Sequence, residues 1–207
     1  MTRLTNPAGF FAALRAGLLG PDLSPSEVDG CNAILDACGA DGWPLAYAAY
    51  GLATAYHETA HTMQPIKEIG GPAYFRRMYD IEGQRPDVAR RLGNVHPGDG
   101  AKFPGMGYVQ STGRGNAKRA GDEMDLPIED QPELLMRPDV AAKVMVRGMR
   151  EGWFTSKRLA DYLPKNGPAG HGQFFPARRI INGLDRADLI AGYADGFQDA
   201  LTSGLWT

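Results

Sequence analysis

From Leu45 to Tyr56 the chain reads LAYAAYGLATAY, about three turns of helix without one charged side chain. Tyr and Thr are its only polar groups, so a helix here is apolar on every side and has to be buried on every side. The rest of the chain must therefore supply elements that surround it. Pro44 suits the first turn, and the helical pattern continues to about Met63. Glu58 is the first carboxylate to emerge from the buried stretch.

Candidate neighbours stand on both sides. PAGFFAALRAGLLG has apolar residues at helical spacing and stops at Gly20, while LSPSEVDGCNAILDACGA opens on a cap-like Ser-Pro-Ser-Glu and stops at Gly39. Helical periodicity returns in PDVAAKVMVRGMREGWF and RADLIAGYADGFQDAL, separated by the polar LPKNGPAGHGQ. Between them, residues 64–115 scatter Gly and Pro through short alternating runs, as a loop-rich lobe with a small β-hairpin would. The expectation is a mainly α protein of one catalytic domain over residues 1–207, with a helical lobe at about 1–63 and 117–207 and a loop-rich lobe at about 64–116.

A chain of 207 residues, 43% hydrophobic and 22% charged, can bury such a core. Its net charge of −2 and pI near 6.1 argue against nucleic acid as a partner. PLAYAAYGLATAY is too short to span a bilayer, and the N-terminus lacks a basic region and a clear cleavage site. No stable membrane insertion is expected, and the protein is read as cytosolically made and monomeric. Cys31 and Cys38, seven residues apart, would lie roughly 10 Å apart on one helical face, too far for a disulfide. They read as reduced core thiols. Trp153 and Phe154 could stack on a sugar ring, but as a paired aromatic after a helix they are assigned to the core.

His57-Glu58-Thr59-Ala60-His61 matches the zinc-protease pattern H-E-x-x-H, in which a helix sets two histidines one turn apart and the glutamate activates a zinc-bound water. The extended form fails, because Gln64 and Lys67 stand where glycine and a third histidine belong. His96, Glu68 and Glu82 remain as third ligands without a spacing signal. The other chemistry is glycosidic. Apolar neighbours and the negative helix end both favour the protonated form of Glu58, as a general acid requires. A second carboxylate would then come from Glu68, with Glu82 and Asp80 in competition. No metal or other cofactor is needed in that case.

Three ordered segments, AYHETAHTMQPIKE, GDGAKFPGMGYVQSTGRGN and ARRIINGLDRAD, resemble the signature regions of glycoside hydrolase family 19 in its phage endolysin and bacterial branch. The resemblance covers roughly residues 40–200. It implies a lysozyme-like, two-lobed helical fold and cleavage of β-1,4 bonds next to N-acetylated sugars, in peptidoglycan or chitin. By position it makes Glu58 the proton donor and Glu68 the second acid. Thr112 would position water, and Gln110, Asn116 and Asn182 would bind sugar; His57, read apart from the resemblance as a hydrogen-bonding partner of the cleft wall, is a further substrate-binding candidate. An inverting enzyme holds two such carboxyls about 6.5–9.5 Å apart.

The departures are specific. Gly105-Met106-Gly107 replaces the usual Gly-Arg-Gly, Ser111 replaces a branched aliphatic residue, and Asn116-Ala117 replaces Asn-Tyr. Methionine supplies neither the charge nor the donors of arginine, so Arg114 has to compensate or activity is weakened. The expected function is a peptidoglycan-degrading endolysin held in the host bacterial cytoplasm until a separate membrane-permeabilising protein lets it reach the wall. A chitinase is the alternative within the same chemistry. A zinc peptidase using His57, Glu58 and His61, and an inactive glycan-binding protein, are the alternatives outside it.

Overall fold

The computed structural model describes residues 3–207. In chain order its helices are α1 (Pro7–Ala16), α2 (Pro25–Ala40), α3 (Leu45–Glu58), α4 (Pro72–Tyr79), α5 (Pro86–Arg91), α6 (Asp99–Lys102), α7 (Arg114–Met124), α8 (Pro138–Glu151), α9 (His171–Ala177) and α10 (Ala187–Ser203). Two strands of two residues, β1 (Ile66–Lys67) and β2 (Met106–Gly107), form the named sheet, so the protein is mainly α. None of the helices among the described residues is long and apolar enough to cross a membrane. The chain divides into two compact units. One takes the chain up to Gln64 and again from Met145, and the other runs Pro65–Val144.

In the discontinuous unit α3 is the centre, as its lack of charge demands. Every residue from Ala46 to Tyr56 is buried, and α2, α9 and α10 assemble the covering layer, with α3 and α9 both against α10. The α2 helix begins at a reciprocal capping box: Glu27 N donates to Ser24 Oγ, and the Glu27 carboxylate accepts from Ser24 N at 2.8 Å. Both of its cysteines are free and buried, and burial pushes the Cys31 thiol up to about 12, where it stays protonated and unreactive.

The helix expected over residues 44–63 stops at Glu58. Thr59 turns its hydroxyl back to the Ala55 carbonyl at 2.7 Å and accepts from Met63 N at 3.1 Å, while Ala60 and His61 take positive φ values of 50° and 72°. The turn is clamped from outside by α2. A Cβ on Gly30 would stand 1.7 Å from the Met63 carbonyl oxygen, so only glycine lets the two backbones approach this closely.

In the second unit, β1 and β2 pair antiparallel with Ile66 opposite Gly107 and Lys67 opposite Met106. These strands are far apart in sequence, so the expected local hairpin is instead a long-range pairing, and the short return at Met106 closes on Ser111 by a single bridge. The segment expected to be loop-rich also contains α4, α5 and α6. Its glycines serve close packing as well as turns: a Cβ on Gly100 would meet the Asp80 amide nitrogen at 2.6 Å where α6 crosses α4. Asn94 joins the pieces, accepting from Arg114 N at 2.7 Å and donating to the Tyr79 carbonyl at 2.9 Å.

Candidate active site

Each unit carries one of the two glutamates. Glu58, on the last residue of α3, is half-buried, and its Oε1 accepts from Arg178 Nη1 at 2.5 Å. Arg178 follows α9 and is only 3% exposed, with Nε donating to the Asp185 carbonyl at 3.1 Å. The guanidinium is thus fixed at both ends before it meets the carboxylate. It places a buried positive charge directly against the carboxylate. No spacing rule pointed to Arg178. A carboxylate emerging from an uncharged buried helix was itself the signal that a buried cation should be sought.

His57 precedes Glu58 and is half-buried. Burial holds its imidazole below the ordinary range; Glu58 pulls the other way, and Arg178, His61 and Arg186 reinforce the lowering. His61 has left the helix. Its ring stacks on Tyr56 at 4.2 Å between centroids, and its Nε2 is 3.2 Å from the Tyr193 hydroxyl. The H-E-x-x-H reading requires both histidines at helical positions one turn apart, and the chain breaks the helix between them. Among the described residues no three His, Cys, Asp or Glu side chains are grouped as a metal-binding set. Asn182 lies one turn beyond Arg178, donating its N–H to the Arg178 carbonyl at 3.0 Å, and its exposed amide folds back so that Oδ1 accepts from Gly183 N.

Glu68 follows β1 and is held by two donors. The Tyr79 hydroxyl gives its hydrogen to Oε1 at 2.9 Å, and Gly105 N gives its hydrogen to Oε2 at 3.1 Å. Burial and then the neighbouring Glu68 carboxylate push the Tyr79 hydroxyl up, so it remains a donor. The strand pairing adds a Glu68 N to Gly105 O bond at 2.8 Å, which closes the cradle through the backbone. Gln110, on the turn with φ 53°, sends its amide back to the Ile66 carbonyl at 3.0 Å. Its Oε1 would be 2.9 Å from a Cβ at position 105, and a Glu68 oxygen would be 3.3 Å away. Glu68, Gly105 and Gln110 therefore share one small space. Thr112 donates to the Gln110 carbonyl at 2.9 Å, and Asn116 donates to the Thr112 carbonyl at 2.9 Å. These residues form a continuous chain of contacts from Glu68.

The competitors are placed elsewhere. Asp80 is buried and accepts from Gly98 N at 2.7 Å and Gly100 N at 3.2 Å, a structural tie between α4 and α6. Glu82 lies in the following turn and is exposed. Arg114 does not fill the place of the missing arginine: it bonds both oxygens of Asp99, at 2.6 and 2.9 Å, and Glu129 at 2.6 Å. Burial alone would push the Asp99 carboxyl up; Arg114 and the His96 and Val95 amides outweigh it and hold it below the ordinary range. Met106 is 4% exposed and packs inward.

No family model and no curated protein matches the chain. Among solved structures it is similar to a chitinase C mutant, with a TM-score of 0.49 and 17% identity over 99% of this chain and 94% of that one. The chemistry rests on the side chains themselves. Glu58 is a carboxylate countered by one buried cation, and Glu68 is a carboxylate used as an acceptor by a phenol and an amide. Two carboxyl groups in contrasted environments are the material of acid–base hydrolysis.

Proposed function

We propose that the protein is a glycoside hydrolase that cuts β-1,4 bonds next to N-acetylated amino sugars, with the glycan strands of peptidoglycan as substrate. The observation that carries this is the contrast between Glu58 and Glu68, both found in AYHETAHTMQPIKE, one of the three segments that resemble glycoside hydrolase family 19. Glu58 would protonate the leaving glycosidic oxygen. Glu68, whose two donors suit the ionised, acceptor-only form, would take a proton from the attacking water. Gln110, Asn116 and Asn182 carry the amide groups that N-acetylated sugars can hydrogen-bond, and Thr112 holds the turn on which Gln110 sits. An endolysin of this kind would wait in the host cytoplasm and reach the wall once another protein opens the membrane.

Mass analysis of fragments released from purified peptidoglycan tests the proposal. Glycan cleavage gives disaccharide units with their stem peptides attached and a new reducing end for each cut. Free stem peptides without shortened glycans would replace it with peptidase chemistry. Cleavage of chitin oligomers with intact peptidoglycan would move the substrate to chitin.

A further inference from the structure

At the end of α4 the chain builds a cavity of about 620 Å³, whose lining includes Arg76, Arg77, Asp80, Glu82, Gln84 and Gly98. A tight return of the backbone shapes it. Gln84 N donates to the Arg77 carbonyl at 2.8 Å, and Gly83 lies so close that a Cβ there would stand 2.4 Å from the Arg76 carbonyl oxygen. Gly98, in the left-handed region with φ 95°, ties in the neighbouring turn by donating to Asp80 Oδ2 at 2.7 Å. Main-chain contacts therefore fix the cavity, and its side chains are presented on a set frame.

Two arginines line it without a carboxylate to hold. Among the described residues neither the Arg76 nor the Arg77 guanidinium makes an ion pair or a side-chain hydrogen bond, and Arg77 rests 5.7 Å from the Tyr74 ring centroid. Elsewhere in this unit Arg90 holds Asp87, Arg114 holds Asp99 and Glu129, Lys118 holds Asp122 and Arg137 holds Asp139. Basic residues in a last helical turn complement the helix dipole, which accounts for arginines at the end of α4. It does not account for two guanidiniums lining one preformed cavity. The acids there are not their partners: Asp80 is buried with its carboxylate taken up by Gly98 N and Gly100 N, and Glu82 is exposed and forms no ion pair with either. A guanidinium presents a planar fork of donors that matches an oxyanion.

We propose that this cavity is a second substrate contact, in which Arg76 and Arg77 bind a carboxylate of the stem peptides carried by peptidoglycan strands. Chitin is neutral, whereas a stem peptide ends in a free carboxylate, so the contact selects wall glycan over chitin. The proposal rests on the glycosidase reading of Glu58 and Glu68. Placement supports it: Tyr79, whose hydroxyl bonds Glu68 at 2.9 Å, follows Arg76 by three residues on α4, a rise of about 4.5 Å along the axis. One short helix thus carries both the donor that holds the proposed base and the two guanidiniums. A peptide of three residues spans up to about 10 Å, enough to reach from a sugar beside Glu68 to the cavity. Gln84 adds an amide that can pair with the peptide backbone, and Glu82 opposes the bound anion.

The test measures by calorimetry the affinity of the full chain for a disaccharide–peptide unit of peptidoglycan, for the same unit with its carboxylates amidated, and for a chitin disaccharide. Replacing both arginines, Arg76→Gln with Arg77→Gln, should weaken the free-acid unit by about tenfold or more, and Glu82→Gln should tighten it. The amidated unit and the chitin disaccharide should bind alike in every variant. Both arginines are exposed, so the melting temperature should hold, and on peptidoglycan KM should rise roughly tenfold with kcat unchanged. Unchanged affinity for the free-acid unit in the double variant overturns the proposal, as does an equal loss for the amidated unit. Inorganic phosphate binding as tightly as the free-acid unit would make this a site for any oxyanion and overturn the stem-peptide assignment. The two readings fail separately. Arginine-dependent binding in a protein that cuts no glycan defeats the hydrolase, whereas glycan cleavage with wild-type affinity and KM in the double variant defeats the cavity.

Discussion

At the residue scale, Glu58 and Glu68 differ in what they can be asked to do. Glu58 meets one charged partner at 2.5 Å, whereas Glu68 meets two neutral donors. Glu58→Gln preserves shape but has no proton to transfer, so kcat should fall by about 10²–10⁴-fold with folding unchanged. Exhaustive chelation of the wild type should leave that rate alone, since the helix breaks between His57 and His61; loss restored by zinc would reverse the assignment. Gly105→Ala tests the cradle of Glu68. The added methyl would press on Gln110 Oε1 at 2.9 Å and on a Glu68 oxygen at 3.3 Å, so kcat should drop roughly tenfold to a hundredfold in a folded protein. An unchanged kcat would remove Glu68 from the chemistry.

At the element scale, the buried character of α3 was legible because twelve uncharged residues leave a helix no solvent-facing side, and all but the first are buried. Its end was not legible. Thr59, Ala60 and His61 include neither Gly nor Pro, and the break comes from a threonine hydroxyl recapturing a carbonyl together with a backbone contact from α2. The pairing of β1 with β2 escaped for a related reason: two-residue strands carry no alternation, and their partner is set by tertiary contacts. Arg178 stands in ARRIINGLDRAD, but its pairing with Glu58 is set by tertiary contact across 120 positions, which no spacing shows. Gly30→Ala should expose how much the α3 turn relies on α2. The Met63 carbonyl cannot yield as a side chain would, so chemical denaturation should show a loss of about 1–3 kcal/mol.

Still at this scale, His171 at the start of α9 bonds Asp195 through Nδ1 at 2.7 Å and Asp188 through Nε2 at 3.1 Å, tying α9 to α10. The Asp195 and Asp188 carboxylates raise its imidazole above the ordinary range. A raised histidine contributes fully below its unfolded value of about 6.5, and the contribution fades as pH rises through the folded value. The site is exposed, so the effect is small. The melting-temperature gap between wild type and His171→Gln should nevertheless be wider near pH 5 than near pH 8. An equal gap at both would mean that the pair is purely a hydrogen-bonded contact.

For the whole molecule, the proposed acid, Glu58, belongs to the discontinuous unit and the proposed base, Glu68, to Pro65–Val144. In the proposed reaction, direct attack by water activated by Glu68, with Glu58 protonating the leaving oxygen, would invert the anomeric carbon. Proton NMR of the first products from a β-linked glycan, recorded before mutarotation, reads that outcome. The new reducing end should appear first as the α-anomer, and Glu68→Gln should suppress its formation. Initial β-anomer would contradict it.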